Sequence, residues 1–169
     1  YDALEAAKKQ LANGVPVDEV FDSVSRTNGY TIVRLLKRYN VLDKENTFLC
    51  DTWYDYIYGF SEGFFPVCVK NKGVNFINRD GEELCDHWYD RFNFFTEGLA
   101  IVGDEDKGYN FINYDGDVVF ERWFDYAYSF RNGFAEVKYK GKYYLLRKDG
   151  VLCDEKTQKP IEDGATQMA

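Results

Sequence analysis

The feature that most constrains the fold of this chain is a repeat marked by tryptophan. Trp53, Trp88 and Trp123 follow one another at intervals of 35 residues. The same interval links three further sets of identical residues, which are Phe60, Phe95 and Phe130, then Gly63, Gly98 and Gly133, then Val67, Val102 and Val137. Such self-similarity is typical of proteins that stack copies of one small structural unit. The sequence therefore predicts three copies of about 35 residues, at 48–84, 85–119 and 120–152.

The composition of the copies favours strands over helices. Residues 64–70, 99–103 and 134–139 are short apolar segments rich in aromatic and β-branched residues, as half-buried strands are. Glycine precedes each of these segments, and Asp-Gly pairs at 80–81, 115–116 and 149–150 suit hairpin turns. An apolar rhythm of 3.6 residues is missing from the copies. Each copy is therefore predicted to be a small antiparallel β-meander with two hairpins.

Three motifs recur in every copy: an aromatic residue before Asp, a Phe-x-x-Gly segment that ends in Val, and the Asp-Gly hairpin. They lie at Tyr54-Asp55, 60–67 and 77–81, at Tyr89-Asp90, 95–102 and 112–116, and at Phe124-Asp125, 130–137 and 146–150. On these motifs, residues 48–154 resemble the WG-repeat family of bacterial and phage proteins. The chain departs from the family at its naming dipeptide, where it has Val74-Asn75, Tyr109-Asn110 and Tyr143-Tyr144. The resemblance implies a β-repeat binding or scaffolding module with no shared enzymatic site and no cofactor.

The segment before the copies is predicted to be helical. Residues 2–12 are rich in Ala, Leu, Glu and Lys, and Asn13-Gly14 is a suitable stop. Pro16 suits the first turn of a second helix, and residues 31–39 repeat an apolar stripe of helical spacing at Ile32, Leu35, Leu36 and Tyr39. The predicted fold class is therefore α+β, with a helical head at 1–45, an antiparallel β-repeat array at 46–154 and a polar tail at 155–169.

Residues 7–40 also resemble a resolvase-type helix-turn-helix, with residues 30–39 in the recognition position. That resemblance implies that Arg34, Lys37 and Arg38 contact DNA. The other interpretation is that the three basic residues form the solvated face of a bundle that caps the repeats. The net charge of -8 opposes broad binding of phosphate backbones by the whole surface.

The residue types that carry chemistry favour structural roles. His87 is the only histidine, and Cys85 beside it recurs as Cys50 without a histidine, so a Cys-His nucleophile is not expected. A zinc site is disfavoured because the candidate ligands, Cys50, Cys85, Cys153 and His87, come from three different copies. No metal or cofactor is predicted. Asp55, Asp90 and Asp125 recur in every copy, which favours bonding to turn amides over a single active site. A carbohydrate-active enzyme is the weakest alternative.

Positions that differ between copies are candidates for partner contacts, because the repeat itself does not require their identity. They include tyrosines in the outer copies, polar residues in the middle copy and an acidic hairpin tip. These residues are Tyr56, Tyr58, Arg91, Asn93, Asp104, Glu105, Asp106, Tyr126 and Tyr128. The leading prediction is a noncatalytic module that holds another protein through aromatic and acidic repeat surface. The alternative is a DNA-binding regulator with the helix-turn-helix.

The expected location is the cytoplasm of a bacterial cell or of a phage-infected host. No stretch approaches the roughly 20 apolar residues that cross a bilayer, so no membrane partner is expected. The four cysteines, at 50, 68, 85 and 153, form no CxxC pair and favour a reducing compartment.

Overall fold

The computed structural model describes residues 2–161 and shows, within that range, two helices followed by four small antiparallel sheets. The helices are α1 (Asp2–Ala12) and α2 (Val17–Val20). The first sheet has the order β1-β2-β3, with β1 at Ser23–Thr27, β2 at Tyr30–Leu35 and β3 at Arg38–Leu42. The α+β class with an antiparallel repeat array is confirmed.

The other three sheets repeat this meander. The second has the order β4-β5-β6 (Tyr56–Ile57, Phe65–Val69, Gly73–Ile77), and the third has the order β7-β8-β9 (Arg91–Phe92, Ala100–Asp104, Gly108–Ile112). The fourth has the order β10-β11-β12-β13 (Tyr126–Ala127, Phe134–Tyr139, Lys142–Arg147, Leu152–Cys153). The chain divides into two compact units, one of residues up to Lys72 together with Phe76–Glu83, the other of Gly73–Asn75 together with the residues from Leu84.

The first predicted helix is confirmed, and the second is shorter than its apolar stripe suggested. At the end of α1, Gly14 has a φ of 82°, and the amide of Val15 donates to the carbonyl of Gln10 at 2.9 Å. This left-handed glycine closes the helix as predicted. Helix α2 ends before Phe21, which is extended with φ -110° and ψ 154°. Neither helix of residues 2–161 is long and apolar enough to cross a membrane.

The prediction of a helix at residues 31–39 is wrong. Strands β2 and β3 occupy this segment, and they pair antiparallel from Thr31 with Leu42 to Leu35 with Arg38. Leu36 and Lys37 form the tight turn between the strands, with φ values of 50° and 66°. The apolar stripe arose because two short strands and their turn place leucine and tyrosine at helix-like intervals. The helical head of 1–45 therefore ends at Val20, and the helix-turn-helix has no recognition helix.

Residues 21–50 form a copy of the repeat that the sequence analysis missed. Phe21-Asp22 is its aromatic-Asp pair, Asn28-Gly29 is its first turn, and the β2-β3 hairpin follows. Asn40, Asn75 and Asn110 lie 35 residues apart, and all three side chains are fully buried. The described residues thus contain four copies, the first of which directly follows α2.

The aspartates of the aromatic-Asp pairs bond turn amides, as predicted for Asp55, Asp90 and Asp125. In each copy one carboxylate oxygen accepts from a backbone N–H at the tip of the following hairpin. The pairs are Asp22 with Leu36 at 3.1 Å, Asp55 with Lys70 at 2.6 Å, Asp90 with Glu105 at 2.6 Å and Asp125 with Gly141 at 2.9 Å. Each carboxylate therefore stabilises a reversal of the chain.

Each compact unit has an apolar core of its own. In the first unit, Ala7, Val17 and Phe21 pack with Val33 and Leu42, so both helices contribute to the core of the first copy. In the second unit, a larger cluster includes Phe111, Phe120, Phe124 and Phe130. Phe111 and Phe130 meet edge to face with ring centroids 4.9 Å apart, a geometry that aromatic pairs favour.

The predicted polar tail begins with an ordered turn. Asp154 accepts hydrogen bonds from the amides of Lys156 and Thr157, both at 2.9 Å, and Cys153 forms a β-bridge with Pro160. The rest of the predicted tail, residues 162–169, lies outside the described residues.

Glu97 ties the third copy to the turn of the fourth. Its carboxylate accepts from the amides of Asn132 at 2.6 Å and Gly133 at 2.9 Å, and Lys148 Nζ lies 3.3 Å away. The hydrogen bond from the Gly133 amide is the largest contribution, and Lys148 and the Asn132 amide act in the same direction. Together they outweigh desolvation and lower the pKa of the Glu97 carboxyl. A lowered folded-state pKa contributes stability that is present above the unfolded pKa and is lost as the pH falls through the folded value.

We expect Glu97→Gln to lower the free energy of unfolding at pH 7. The difference from the wild type is expected to shrink as the pH falls, because the wild-type carboxyl then becomes protonated and loses the same advantage. Urea denaturation at pH 7 and at about pH 3, below the ordinary range for Glu, measures both values. Glu105→Gln, at an exposed carboxylate in the β8-β9 turn, is the control. A Glu97→Gln deficit that is independent of pH would contradict this role.

Candidate functional site

Two predicted tyrosines of the second copy stand together with a third from the first copy. Tyr56 and Tyr58 flank Ile57, which is buried, so alternation along β4 places both tyrosines on the opposite side. The rings of Tyr56 and Tyr58 meet edge to face at 4.7 Å, and the ring of Tyr39 meets Tyr56 at 4.8 Å. We call Tyr39, Tyr56 and Tyr58 the first tyrosine row. It borders a small cavity of about 220 Å³.

A second tyrosine row lies 70 residues further along the chain, at Tyr109, Tyr126 and Tyr128. Its ring centroids are 5.0 Å apart for Tyr109 and Tyr126 and 4.9 Å apart for Tyr126 and Tyr128. Tyr126 and Tyr128 expose 43% and 47% of their surface, which is high for such large side chains. The two rows therefore have the same geometry in the first and the second unit.

The second row continues across its sheet. Tyr126 is paired with Lys138 on β11, and Lys138 is paired with Tyr143 on β12. The Lys138 ammonium lies 5.7 Å from the centre of the Tyr143 ring, within cation-π range. Desolvation, followed by the neighbouring Tyr126, Tyr143 and Glu136, raises the pKa of Tyr128, so its phenol is neutral at physiological pH. The neutral Tyr128 phenol and the Lys138 ammonium group therefore belong to the same aromatic surface.

No tyrosine row lies at the corresponding positions of the second and third copies. The residues 35 positions after Tyr39, Tyr56 and Tyr58 are Val74, Arg91 and Asn93. Arg91 and Asn93 are exposed, and Asn93 lines an open cavity of about 820 Å³ that Tyr128 also lines. The structure thus places Asn93, a polar residue, at the same cavity as Tyr128 of the second row.

The acidic tip is a tight turn between β8 and β9. Asp104 is half-buried, and its carboxylate meets His87 Nε2 at 3.2 Å and accepts from the Asp106 amide at 3.2 Å. Glu105 and Asp106 are exposed. Asp104 therefore holds the turn together, whereas Glu105 and Asp106 present their charge to solvent. A partner contact through these residues stays a prediction.

The three predicted DNA contacts do not share a helix face. Arg34 is half-buried on β2, Lys37 lies in the turn, and Arg38 begins β3. The chain reverses between Arg34 and Arg38, so the three residues lie on a β-hairpin rather than along one helix. The helix-turn-helix from which these contacts were predicted is therefore wrong, and a DNA contact through the three residues stays a prediction.

Cys85 and His87, the residues considered for a nucleophile, make contacts within the repeat. Burial, followed by Asp86 and Asp117, raises the pKa of the Cys85 thiol to about 11, which keeps it protonated and poorly nucleophilic. His87 contacts Asp104 and the ring of Tyr89. Among the described residues, no group of three or more His, Cys, Asp or Glu side chains could hold a metal ion.

Tyr39, Tyr109 and Tyr143 are candidate contact residues that the sequence analysis missed. Tyr39 and Tyr109 precede their rows by about 17 residues and reach them through β-bridges between copies, from Tyr39 to Tyr54 and from Tyr109 to Phe124. Tyr39 and Tyr109 lie 70 residues apart, as do Tyr56 and Tyr126, and Tyr58 and Tyr128. This shared interval was the signal that could have found Tyr39 and Tyr109.

These sheets define a β-repeat protein. A family model described as "WG containing repeat" matches residues 54–72, 76–107 and 111–143. The chain belongs to the WG-repeat family.

Solved structures resemble the chain weakly. The computationally designed Ika4 protein is 13% identical, with a TM-score of 0.45, over 73% of this chain and 88% of that one. The designed Ika8 protein is 11% identical, with a TM-score of 0.44, over 86% and 49%. BamB from Moraxella catarrhalis is 12% identical, with a TM-score of 0.42, over 72% and 40%. No curated protein matches this chain.

Proposed function

We propose that this WG-repeat chain is a noncatalytic protein-binding module whose tyrosine rows are its contact surfaces. The observation that carries the proposal is that half-buried and exposed tyrosines pack in two equivalent rows that the repeat fold does not require. The third copy builds the same β-meander with Arg91 and Asn93 at the positions of Tyr56 and Tyr58, and the second copy has Val74 at the position of Tyr39. Because the tyrosines add nothing that the backbone needs, their recurrence favours a role in binding.

Tyrosine in such rows suits protein recognition. Each ring offers a large apolar face and a hydroxyl, and it loses few rotamers when it is ordered. Within each row, neighbouring rings already restrict one another at 4.7 to 5.0 Å, so less entropy is lost on binding. Lys138 beside Tyr126 adds one positive charge to the second row and favours a partner with an acidic group at that place.

The double variant Tyr126→Ser/Tyr128→Ser tests the proposal. Proteins retained by the immobilised chain are identified by quantitative mass spectrometry, and the captured partner is then purified and titrated calorimetrically. We expect the double variant to weaken that binding by about 30-fold or more, since an aromatic hot spot contributes at least about 2 kcal/mol.

Tyr114→Ser is the matched control. Tyr114 is 48% exposed in the same unit but lies outside both rows and contacts Phe95 instead. We expect Tyr114→Ser to retain the partner. A captured set that is identical for the wild type and both variants would overturn the proposal.

A further inference from the structure

A cavity of about 530 Å³ lies between α1 and the β2-β3 turn, and its lining includes no residue of either tyrosine row. That volume is within the range of small-molecule sites. Its walls are mostly apolar, and two charged residues stand among them. The residues that matter here are Leu4, Leu35, Leu36, Trp53, Arg38 and Asp51.

One wall is held by a turn of unusual composition. Leu36 and Lys37 take φ values of 50° and 66°, a left-handed pair that asparagine and glycine normally supply. The Asp22 carboxylate accepts from the Leu36 amide at 3.1 Å and so holds this turn. As a result Leu36 is 56% exposed at the cavity. Strained backbone that presents an apolar side chain to a cavity is a feature of binding sites.

Two of the lining residues carry donors without partners among residues 2–161. Trp53 Nε1 is buried and has no hydrogen-bond partner in this range. The Arg38 guanidinium forms no ion pair or hydrogen bond with the described residues. A ligand that accepts hydrogen bonds and carries negative charge would satisfy Arg38 directly, and it would reach Trp53 Nε1 after a small shift of the indole.

We propose that this cavity binds a small apolar carboxylate. The apolar body would pack against Leu4, Leu35 and Leu36, and the carboxylate would lie at Arg38. Asp51 lines the same cavity, and its negative charge disfavours an anion there. Removal of the charge at Arg38 and removal of the charge at Asp51 should therefore change the affinity in opposite directions. Removing the positive charge weakens binding, and removing the negative charge strengthens it.

The test uses the intact chain and decanoate, with decanol as the uncharged probe of equal length. Nuclear magnetic resonance of the three ¹⁵N-labelled indole N–H groups reports on each tryptophan, and single Trp→Phe variants assign the signals. We expect decanoate to shift the Trp53 signal saturably at one-to-one stoichiometry, with little change at Trp88 and Trp123. Decanol is expected to bind more weakly.

The variants separate a charged site from unspecific apolar binding. We expect Arg38→Gln to weaken decanoate binding about threefold to tenfold and Asp51→Asn to tighten it about twofold, as for partly exposed charges. Leu36→Asn suits the left-handed turn and is expected to fold while losing affinity through its lost apolar contact. Arg26→Gln, at an exposed pair with Asp18, is the matched control and is expected to bind as the wild type.

Three results would overturn the proposal. The first is that decanoate at up to about 1 mM, a concentration that would detect even weak binding, causes no saturable shift of the Trp53 signal. The second is that decanol and decanoate bind with equal affinity. The third is that the Arg38→Gln variant binds decanoate as the wild type does. Circular dichroism of each variant establishes that it is folded before its affinity is compared.

Discussion

Replacing Gly108 with alanine is expected to lower the free energy of unfolding by about 4 kcal/mol, because the new methyl group meets a carbonyl oxygen at a strained backbone position. Gly108 has a φ of 105°, and a Cβ built there would lie 2.4 Å from the carbonyl oxygen of Phe124. That carbonyl is fixed, because it accepts from the Tyr109 amide at 2.8 Å while the Phe124 amide donates back at 2.8 Å. The methyl group therefore forces apart the bridge that joins the third copy to the fourth.

Thermal unfolding followed by circular dichroism measures this loss, which corresponds to about 10 °C for a chain of this size. Gly141→Ala is the matched control, since Gly141 has a φ of 82° and no atom within 4 Å of a built Cβ. It is expected to cost about 1 kcal/mol, from the left-handed backbone alone. Equal losses at the two positions would show that the close approach to Phe124 contributes nothing.

Much of the fold follows from the sequence because the copies share the residues that make turns and core contacts. The first copy escaped recognition for identifiable reasons. It has Val20, directly before Phe21, where the tryptophan would stand, and Asn46, with a φ of 63°, takes the place of the glycine in the Asp-Gly turn. Its β2-β3 hairpin is also one residue shorter, so Asn28-Gly29 lies 34 rather than 35 residues before Glu62-Gly63.

The helix predicted at residues 31–39 shows why spacing alone misleads in short segments. Thr31, Ile32 and Val33 are β-branched and favour a strand, a preference that the stripe of leucines obscured. Pairing with β1 and β3 on both sides then determines the outcome, because β2 is the central strand of its sheet.

The candidate site was predicted in part. The sequence identified two tyrosine pairs, Tyr56 with Tyr58 and Tyr126 with Tyr128, because the third copy has other residues at these positions. Alternation along a strand places the two tyrosines of each pair on one side. Their partners Tyr39 and Tyr109 belong to the preceding copies, and only the bridges between copies bring them close. Contacts of this kind depend on how strands of different copies pair, which the interval within one copy does not specify.

The buried asparagines explain how the copies close with little regular sheet. Asn40, Asn75 and Asn110 donate from Nδ2 to the carbonyl ten residues later, at Cys50, Cys85 and Phe120, over 2.9, 2.7 and 2.9 Å. These carbonyls belong to segments outside the named strands and so lack regular partners there. In the last copy Tyr144 takes the position of the buried asparagine. It is paired with Val137, as Asn110 is paired with Val102 in the preceding copy. There β13 pairs with β12 through its backbone instead.

Asn110→Leu is therefore expected to lower the free energy of unfolding by about 3 kcal/mol, because it leaves several peptide groups at once without the hydrogen-bond partner that the Asn110 side chain supplies. The Asn110 amide donates to Phe120 and to Arg122 at 3.2 Å, and its oxygen accepts from the amides of Phe111 at 2.7 Å and Phe120 at 3.3 Å. Leucine has a similar volume, so the loss measures hydrogen bonding rather than a cavity. Urea denaturation at pH 7 gives the value.

Asn113→Ala separates a buried asparagine from a turn asparagine of the same copy. Asn113 is half-buried and accepts only from the amides of Asp115 at 2.9 Å and Asp117 at 3.1 Å, which water can replace in part. Its loss is expected to be about 1 kcal/mol. If Asn110→Leu cost no more than Asn113→Ala, the buried amide would not be what closes the copy. The apolar contacts of Phe111 and Phe120 would then be sufficient to hold the segment that follows β9.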